Sequence, residues 1–232
     1  MSAANKRDAS VGIVAAQTAL RAFGKTPQPV LKQLARKAPV NKAGDQLAPE
    51  IAIALAAMNK IPGKDFIDVP VPEGREMIEA EALMFADSFE PFAVEEDLLI
   101  PSKAGNSPAT RYRYRAEFSR GMLVYFHGGG WVLGSRVSND SVARFFAVEA
   151  GIDVLVVDYR LAPENPFPAA IDDALVAWDY AVEHAAHWGF SPHQLVIGGD
   201  SAGGNIAAVV SQLIKGREVQ PALQVLLCPV TD

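Results

Sequence analysis

Two short stretches of this sequence carry residues whose types and spacing could do chemistry. One is His127-Gly128-Gly129-Gly130-Trp131; the other is Gly199-Asp200-Ser201-Ala202-Gly203-Gly204. The second fits G-x-S-x-G, the pattern of a serine held on a sharp strand-to-helix turn with its hydroxyl exposed. Such a serine can attack a carbonyl carbon and form a covalent intermediate. Glycines two positions to either side remove Cβ atoms that would strike the strand and helix joined by the turn. The pattern alone is weak, because Gly, Ser and Ala are common. Its setting gives it weight: "QLVIGG" reads as a strand, and "AGGNIAAVVSQLIK" as a helix that begins directly after Ser201. A phosphate loop is the other reading of so many glycines, but the Lys of a P-loop and the G-x-G-x-x-G spacing are both missing.

Attack by a serine places negative charge on the carbonyl oxygen, which backbone N–H groups can stabilise. The N–H of Ala202, at the positive end of a helix, is one candidate donor. The glycine run supplies the rest, since its N–H groups can approach an anion with no side chain in the way. Gly129 and Gly130 are the favoured pair, with Gly128 as a third candidate. His127 is read as orienting this loop through its ring nitrogens. A general base in such a site follows the nucleophile along the chain.

The elements that position these stretches differ between two regions. Residues 1–90 read as a helical cap region: "VLKQLARKAPV", "PEIAIALAAMNKI" and "EGREMIEAEALMFADSF" have helical spacing and are separated by Pro and Gly. Residues 91–232 alternate strands with helices. "VEEDLLIPS", "ATRYRYRA", "GMLVYF", "DVLVVDY", "QLVIGG" and "ALQVLLCPV" read as strands. "SNDSVARFFAVEA" and "PAAIDDALVAWDYAVEHA" read as helices. Continuous apolar strands alternating with helices predict an α/β fold, with a mainly parallel sheet covered on both faces. Active sites in such sheets lie beyond the carboxyl ends of the strands, where both glycine-rich stretches fall.

Composition narrows the partners. Half of the 232 residues are hydrophobic, enough for one sizeable core and too many for a disordered chain. A net charge of −6 argues against nucleic acid, whose binding needs clustered Lys and Arg. The most basic run, "RYRYR" at 111–115, reads as a strand with one charged face. The lone cysteine, Cys228, cannot form a disulfide within the chain, so a reduced, cytoplasmic setting is expected. Its apolar surroundings predict a buried, inert thiol. Cysteine and histidine show no ligand spacing, so neither a metal nor a cofactor is expected. No stretch approaches the ~20 apolar residues of a membrane span. "VGIVAAQTALRAF", after Lys6 and Arg7, reads as an amphipathic helix and not a signal segment, because Gln17, Thr18 and Arg21 interrupt it.

"HGGGW" at 127–131, "DYRLAPENPFPAA" at 158–170 and "GDSAGGN" at 199–205 together resemble the hormone-sensitive-lipase-like family of α/β-hydrolases, in its bacterial GDSAG branch. The resemblance runs over roughly residues 93–232, and the helical N-terminal region is compatible with that family's cap. It implies an α/β-hydrolase fold and a carboxylester hydrolase acting on short-chain acyl esters, with Ser201 as nucleophile and a small-molecule ester as partner. Dimerisation is common in the family, so a homodimer of the full-length protein is among the expectations.

The chain departs from the family in one respect. The order of the triad is Ser, then Asp or Glu, then His. The four histidines here, His127, His184, His187 and His193, all precede Ser201. The sequence is therefore expected to be C-terminally incomplete, lacking the triad acid, the triad histidine and the final strands. Asp158, Arg160 and Glu164 read as ion pairs organising a turn. The competing expectation is a catalytically dead, hydrolase-like protein that binds a small molecule, as the plant gibberellin receptors that resemble this family do.

Overall fold

The computed structural model describes residue 18 and residues 22–58, 66–117 and 119–231. The helix expected over 11–23 falls mostly outside them. The chain divides into two units: residues 1–70 with 83–85, and residues 71–82 with 86–232.

In the first unit, α1 (Gln28–Leu34) packs against α2 (Pro49–Met58). Proline opens both helices, where its missing N–H has no intrahelical partner to lose. α1 buries Leu31, and its Gln28 side chain donates to Glu50 at the start of α2. The link between them turns at Asn41, whose Oδ1 accepts the N–H groups of Ala43 and Asp45 at 2.9 Å each. Val40 and Gln46 form an isolated antiparallel bridge across that turn. A third helix, α3 (Val71–Phe85), contributes its residues 71–82 to the second unit.

The second unit holds a six-stranded sheet: β1 (Val94–Ser102), β2 (Gly105–Arg113), β3 (Met122–Phe126), β4 (Asp153–Val157), β5 (Leu195–Asp200) and β6 (Gln224–Leu227). Their order across the sheet is β1-β2-β4-β3-β5-β6. β1 and β2 form an antiparallel hairpin, and β2 runs antiparallel to β4. The remaining pairs, β3 with β4, β3 with β5 and β5 with β6, are parallel. The expected α/β fold with a mainly parallel sheet is the fold observed.

Side chains alternate across a strand, so each buried strand feeds two cores. From β3, Met122, Val124 and Phe126 pack with Leu155, Val157 and Ile197 against Trp178 of α5 (Ala169–His184) and Ile206 of α6 (Ala202–Leu213). The intervening Leu123 and Tyr125 pack with Val154 and Val156 against Ala143 and Ala147 of α4 (Asp140–Ala150). This two-sided covering is why β3 and β4 read as unbroken apolar runs.

One sequence reading is extended and one changes. Alternation along "RYRYR" puts Arg111 and Arg113 on one face, but that face is not a solvated one. Both guanidinium groups turn inward onto Asp153 of β4, whose side chain is fully buried. Cys228 is exposed instead of buried. Among the described residues β6 pairs with β5 alone, so "QVLL" and the thiol after it are covered less than an interior strand would be.

Candidate active site

β5 ends at Asp200 and α6 begins at Ala202, leaving Ser201 as the single residue between strand and helix. Its backbone sits at φ 50°, ψ −116°, a region that non-glycine residues rarely occupy. Such conformations cost about 1–3 kcal/mol and persist only where the surroundings over-determine them. Here the surroundings are the residues at and after the end of β6. The Ser201 N–H donates to the Leu227 carbonyl at 2.9 Å, and the Ser201 carbonyl accepts the N–H of Val230 at 3.2 Å. Asn205, one turn into α6, donates its side-chain amide to the Val230 carbonyl at 2.9 Å. The half-buried Ser201 side chain makes no capping bond to α6.

The glycines around Ser201 are there for space. A Cβ on Gly203 would meet the carbonyl of Phe126 and lie 2.6 Å from that of His127. A Cβ on Gly199 would meet the Phe126 carbonyl too. Elbow and glycine loop are therefore packed backbone to backbone. Parallel pairing brings them together, because β3 and β5 are neighbours and Phe126 stands opposite Gly199.

In the loop, Gly129, Gly130 and Trp131 all have positive φ (118°, 61° and 61°). A Cβ on Gly129 would collide with the Leu133 carbonyl. Gly128 differs from its neighbours: its N–H donates to Asp200 Oδ1 at 2.8 Å and so already has an acceptor. That same oxygen accepts the Tyr125 hydroxyl at 2.8 Å. Burial, then the charge and hydrogen bond of Asp200, push the Tyr125 pKa up, so the phenol remains a donor. Among the described residues, no hydrogen bond takes up the N–H of Gly129, Gly130 or Ala202.

His127 is buried and stacks on Tyr159, with ring centroids 4.3 Å apart. Its Nδ1 lies 2.8 Å from the Gly128 carbonyl. A carbonyl only accepts, so Nδ1 carries the proton. Nε2, with its lone pair, is buried and has no partner among the described residues. The Tyr159 hydroxyl donates to the His127 carbonyl at 2.7 Å. Burial pushes the His127 pKa below its ordinary 6.5, against the opposing pull of the Gly128 bond and of Asp158 and Asp200.

A pH dependence follows, with a definite sign. Below about pH 6.5 the unfolded chain takes up a proton that folded His127 refuses, so the folded state loses stability as pH falls through that window. Urea unfolding of wild type should therefore show a steeper loss between pH 7 and pH 5 than His127→Gln. Parallel slopes would mean that His127 titrates as an ordinary histidine.

The 158–170 segment holds its turn by ion pairs to three separate parts of the chain. Asp158 pairs with Arg136 at 3.1 Å, Arg160 with Asp173 at 2.8 Å, and Glu164 with Arg75 at 2.7 Å. Arg75 was not visible as a site-supporting residue in the sequence. Besides Glu164, it donates to the carbonyls of Val132 and Ala162 at 2.8 and 2.9 Å. It thereby braces the chain just past the glycine loop, 57 residues downstream of itself. Ala162 is joined to that loop in turn, donating its N–H to the Trp131 carbonyl at 2.8 Å.

The other histidines lie elsewhere. His184 ends α5, stacked on Tyr180. His187 is exposed just beyond it, and His193 precedes β5, at the opposite end of that strand from Ser201. Among the described residues no cluster of His, Cys, Asp and Glu could hold a metal ion. Next to Gly130 and Trp131 lies a mostly apolar cavity of about 390 Å³, walled by Phe167, Ile171 and Val209 with Asn205 at its edge.

Residues 123–232 match the family described as alpha/beta hydrolase fold. The carboxylic ester hydrolase LipN of Mycobacterium tuberculosis is 46% identical over 142 residues, 59% of this chain and 38% of that protein. The ethyl acetate hydrolase of Pseudomonas putida is 40% identical over 164 residues, 68% of this chain and 51% of that protein. Among solved structures, a hyperthermophilic esterase from the archaeon Pyrobaculum calidifontis matches with a TM-score of 0.69 at 36% identity, covering 83% of this chain and 59% of that one. An arylesterase structure matches with a TM-score of 0.73 at 30% identity, covering 80% and 60%. The chain spans about half the length, or less, of the curated relatives it matches.

Proposed function

We propose, on the premise that the chain belongs to the hormone-sensitive-lipase-like branch of the α/β-hydrolase fold family, that the protein carrying it hydrolyses short-chain carboxylic esters through Ser201. One observation carries this reading: a strained serine at a strand-to-helix turn, set backbone to backbone against a glycine loop whose Gly129 and Gly130 N–H groups have no acceptor among the described residues.

Ser201 Oγ attacks the ester carbonyl carbon as its proton passes to a general base, and the C=O electron pair moves onto oxygen. The resulting oxyanion is held by the N–H groups of Gly129, Gly130 and Ala202. Gly128 is left out, because Asp200 already accepts its N–H. His127 supports the arrangement by holding the Gly128 carbonyl. In a trans peptide the following N–H points the opposite way, so fixing this carbonyl aims the N–H of Gly129. The tetrahedral intermediate expels the alcohol, and water then hydrolyses the acyl-enzyme.

Among the described residues none of the four histidines hydrogen-bonds Ser201. The base and its orienting acid are assigned to the portion of the relatives' length that this chain does not span. The cavity beside Gly130 falls within the usual volume range of small-molecule pockets, and its apolar walls suit a short hydrocarbon group of the ester. A single cysteine fits a reduced, cytoplasmic setting. No helix among the described residues is long and apolar enough to cross a membrane.

The test is covalent labelling of the full polypeptide by an alkyl fluorophosphonate, mapped by peptide mass spectrometry, together with hydrolysis of p-nitrophenyl acetate. A single adduct on Ser201 with turnover is expected. An adduct elsewhere, or ligand retention with neither adduct nor turnover, would point to the binding-protein alternative.

A further inference from the structure

Asp200 is the variable residue of the G-x-S-x-G pattern, and nothing in the mechanism above requires a carboxylate there. Yet one of its oxygens makes two bonds that meet at the site. Oδ1 accepts the N–H of Gly128 and the hydroxyl of Tyr125, each at 2.8 Å. Tyr125 is fully buried in β3, so its hydroxyl is held at one place by the packed sheet. Asp200 directly precedes Ser201 along the chain, and Gly128 directly precedes the two glycines assigned as oxyanion donors. The fit is tight, since a Cβ on Gly128 would strike the Asp200 carboxylate.

We propose that Asp200 is a positioning residue that sets the distance and angle between the oxyanion loop and the nucleophile, with Tyr125 as its anchor in the core. It does not touch the substrate. It fixes one side of the Gly128 peptide while His127 fixes the Gly128 carbonyl on the other. With both held, the donors are set before the oxyanion forms, which is where such donors are effective. A carboxamide oxygen in place of Oδ1 could accept both bonds; a methyl group could accept neither. Geometry, and not negative charge, is what Asp200 supplies. This inference rests on the hydrolase reading above.

The test compares wild type, Asp200→Asn, Asp200→Ala and Tyr125→Phe in the full polypeptide. Two readouts are used: kcat and KM on p-nitrophenyl acetate, and backbone amide hydrogen exchange of residues 128–130. Asp200→Ala should lower kcat roughly 10–100-fold, with KM changed less than about threefold, because an ångström of misplacement costs about that much. Exchange at 128–130 should speed up in the same variant. Asp200→Asn should recover most of kcat and slow exchange. Tyr125→Phe removes only the anchor and should fall between, so it carries the test if Asp200→Ala does not fold.

Equal losses in Asp200→Asn and Asp200→Ala would overturn the proposal in favour of a charge effect. Unchanged kcat and exchange in Asp200→Ala and Tyr125→Phe would overturn it outright. If wild type shows neither turnover nor a Ser201 adduct, it is the hydrolase reading that fails. The exchange measurement still decides whether Asp200 holds the loop.

Discussion

Ester turnover by the full polypeptide should fall on the order of 10⁶-fold when Ser201 becomes alanine, as losing the serine of a comparable triad does. The covalent route is then closed, because no other described hydroxyl occupies the turn between β5 and α6. What survives is stabilisation by the open N–H groups and by binding, worth about 10³–10⁴ over water. Ser201→Ala keeps its Cβ and with it the strained φ of 50°, so thermal stability should barely change. Steady-state kinetics beside a thermal melt separates the two effects. A variant that kept a tenth of wild-type turnover, with a normal melt, would remove Ser201 from the mechanism.

The second large effect is on stability and lies far from Ser201. Asp153→Ala should cost about 3–5 kcal/mol, the range for breaking a buried ion pair by removing one partner. The Asp153 carboxylate is fully buried between Arg111 Nη1 at 2.9 Å and Arg113 Nε at 2.8 Å, with Arg113 Nη2 at 3.1 Å. Alanine leaves two guanidinium groups without the carboxylate they share. Arg111 keeps Glu96 and its stacking over Trp188, and Arg113 keeps the Trp188 carbonyl. These limit the damage without replacing the lost charge. Asp153→Asn should cost less, since one acceptor remains. Urea unfolding checks both, and a loss under about 1 kcal/mol for alanine would mean that the arginines rehydrate instead.

The parts of this fold legible in the sequence are those set by local periodicity. β3, β4 and β5 declare themselves because strands covered on both faces must be apolar throughout. The elbow declares itself because few residue types tolerate that turn. What stayed hidden depends on segments far apart in the chain. Alternation in "RYRYR" says which side Arg111 and Arg113 share, but not that Asp153, 40 residues on, lies beneath that side. Nothing local marks Arg75 as the donor to Val132 and Ala162. The glycine run offers three equivalent N–H groups on paper. Only the folded position of Asp200 singles out Gly128 as already bonded. Cys228 misled for the same reason: an apolar neighbourhood in sequence does not say what covers a strand.

The bonds that hold Ser201 in its strained turn come from Leu227 and Val230, at and beyond the end of β6. The conformation of Ser201 therefore belongs to the same opening unit as that strand. Whenever the 224–230 segment frays, Ser201 loses the acceptor of its N–H and one of the two donors to its carbonyl, keeping only the Asn205 N–H, and its cramped φ is freer to relax. The free energy of that local opening, and not the global stability of the sheet, sets the fraction of molecules in which Ser201 holds its turn.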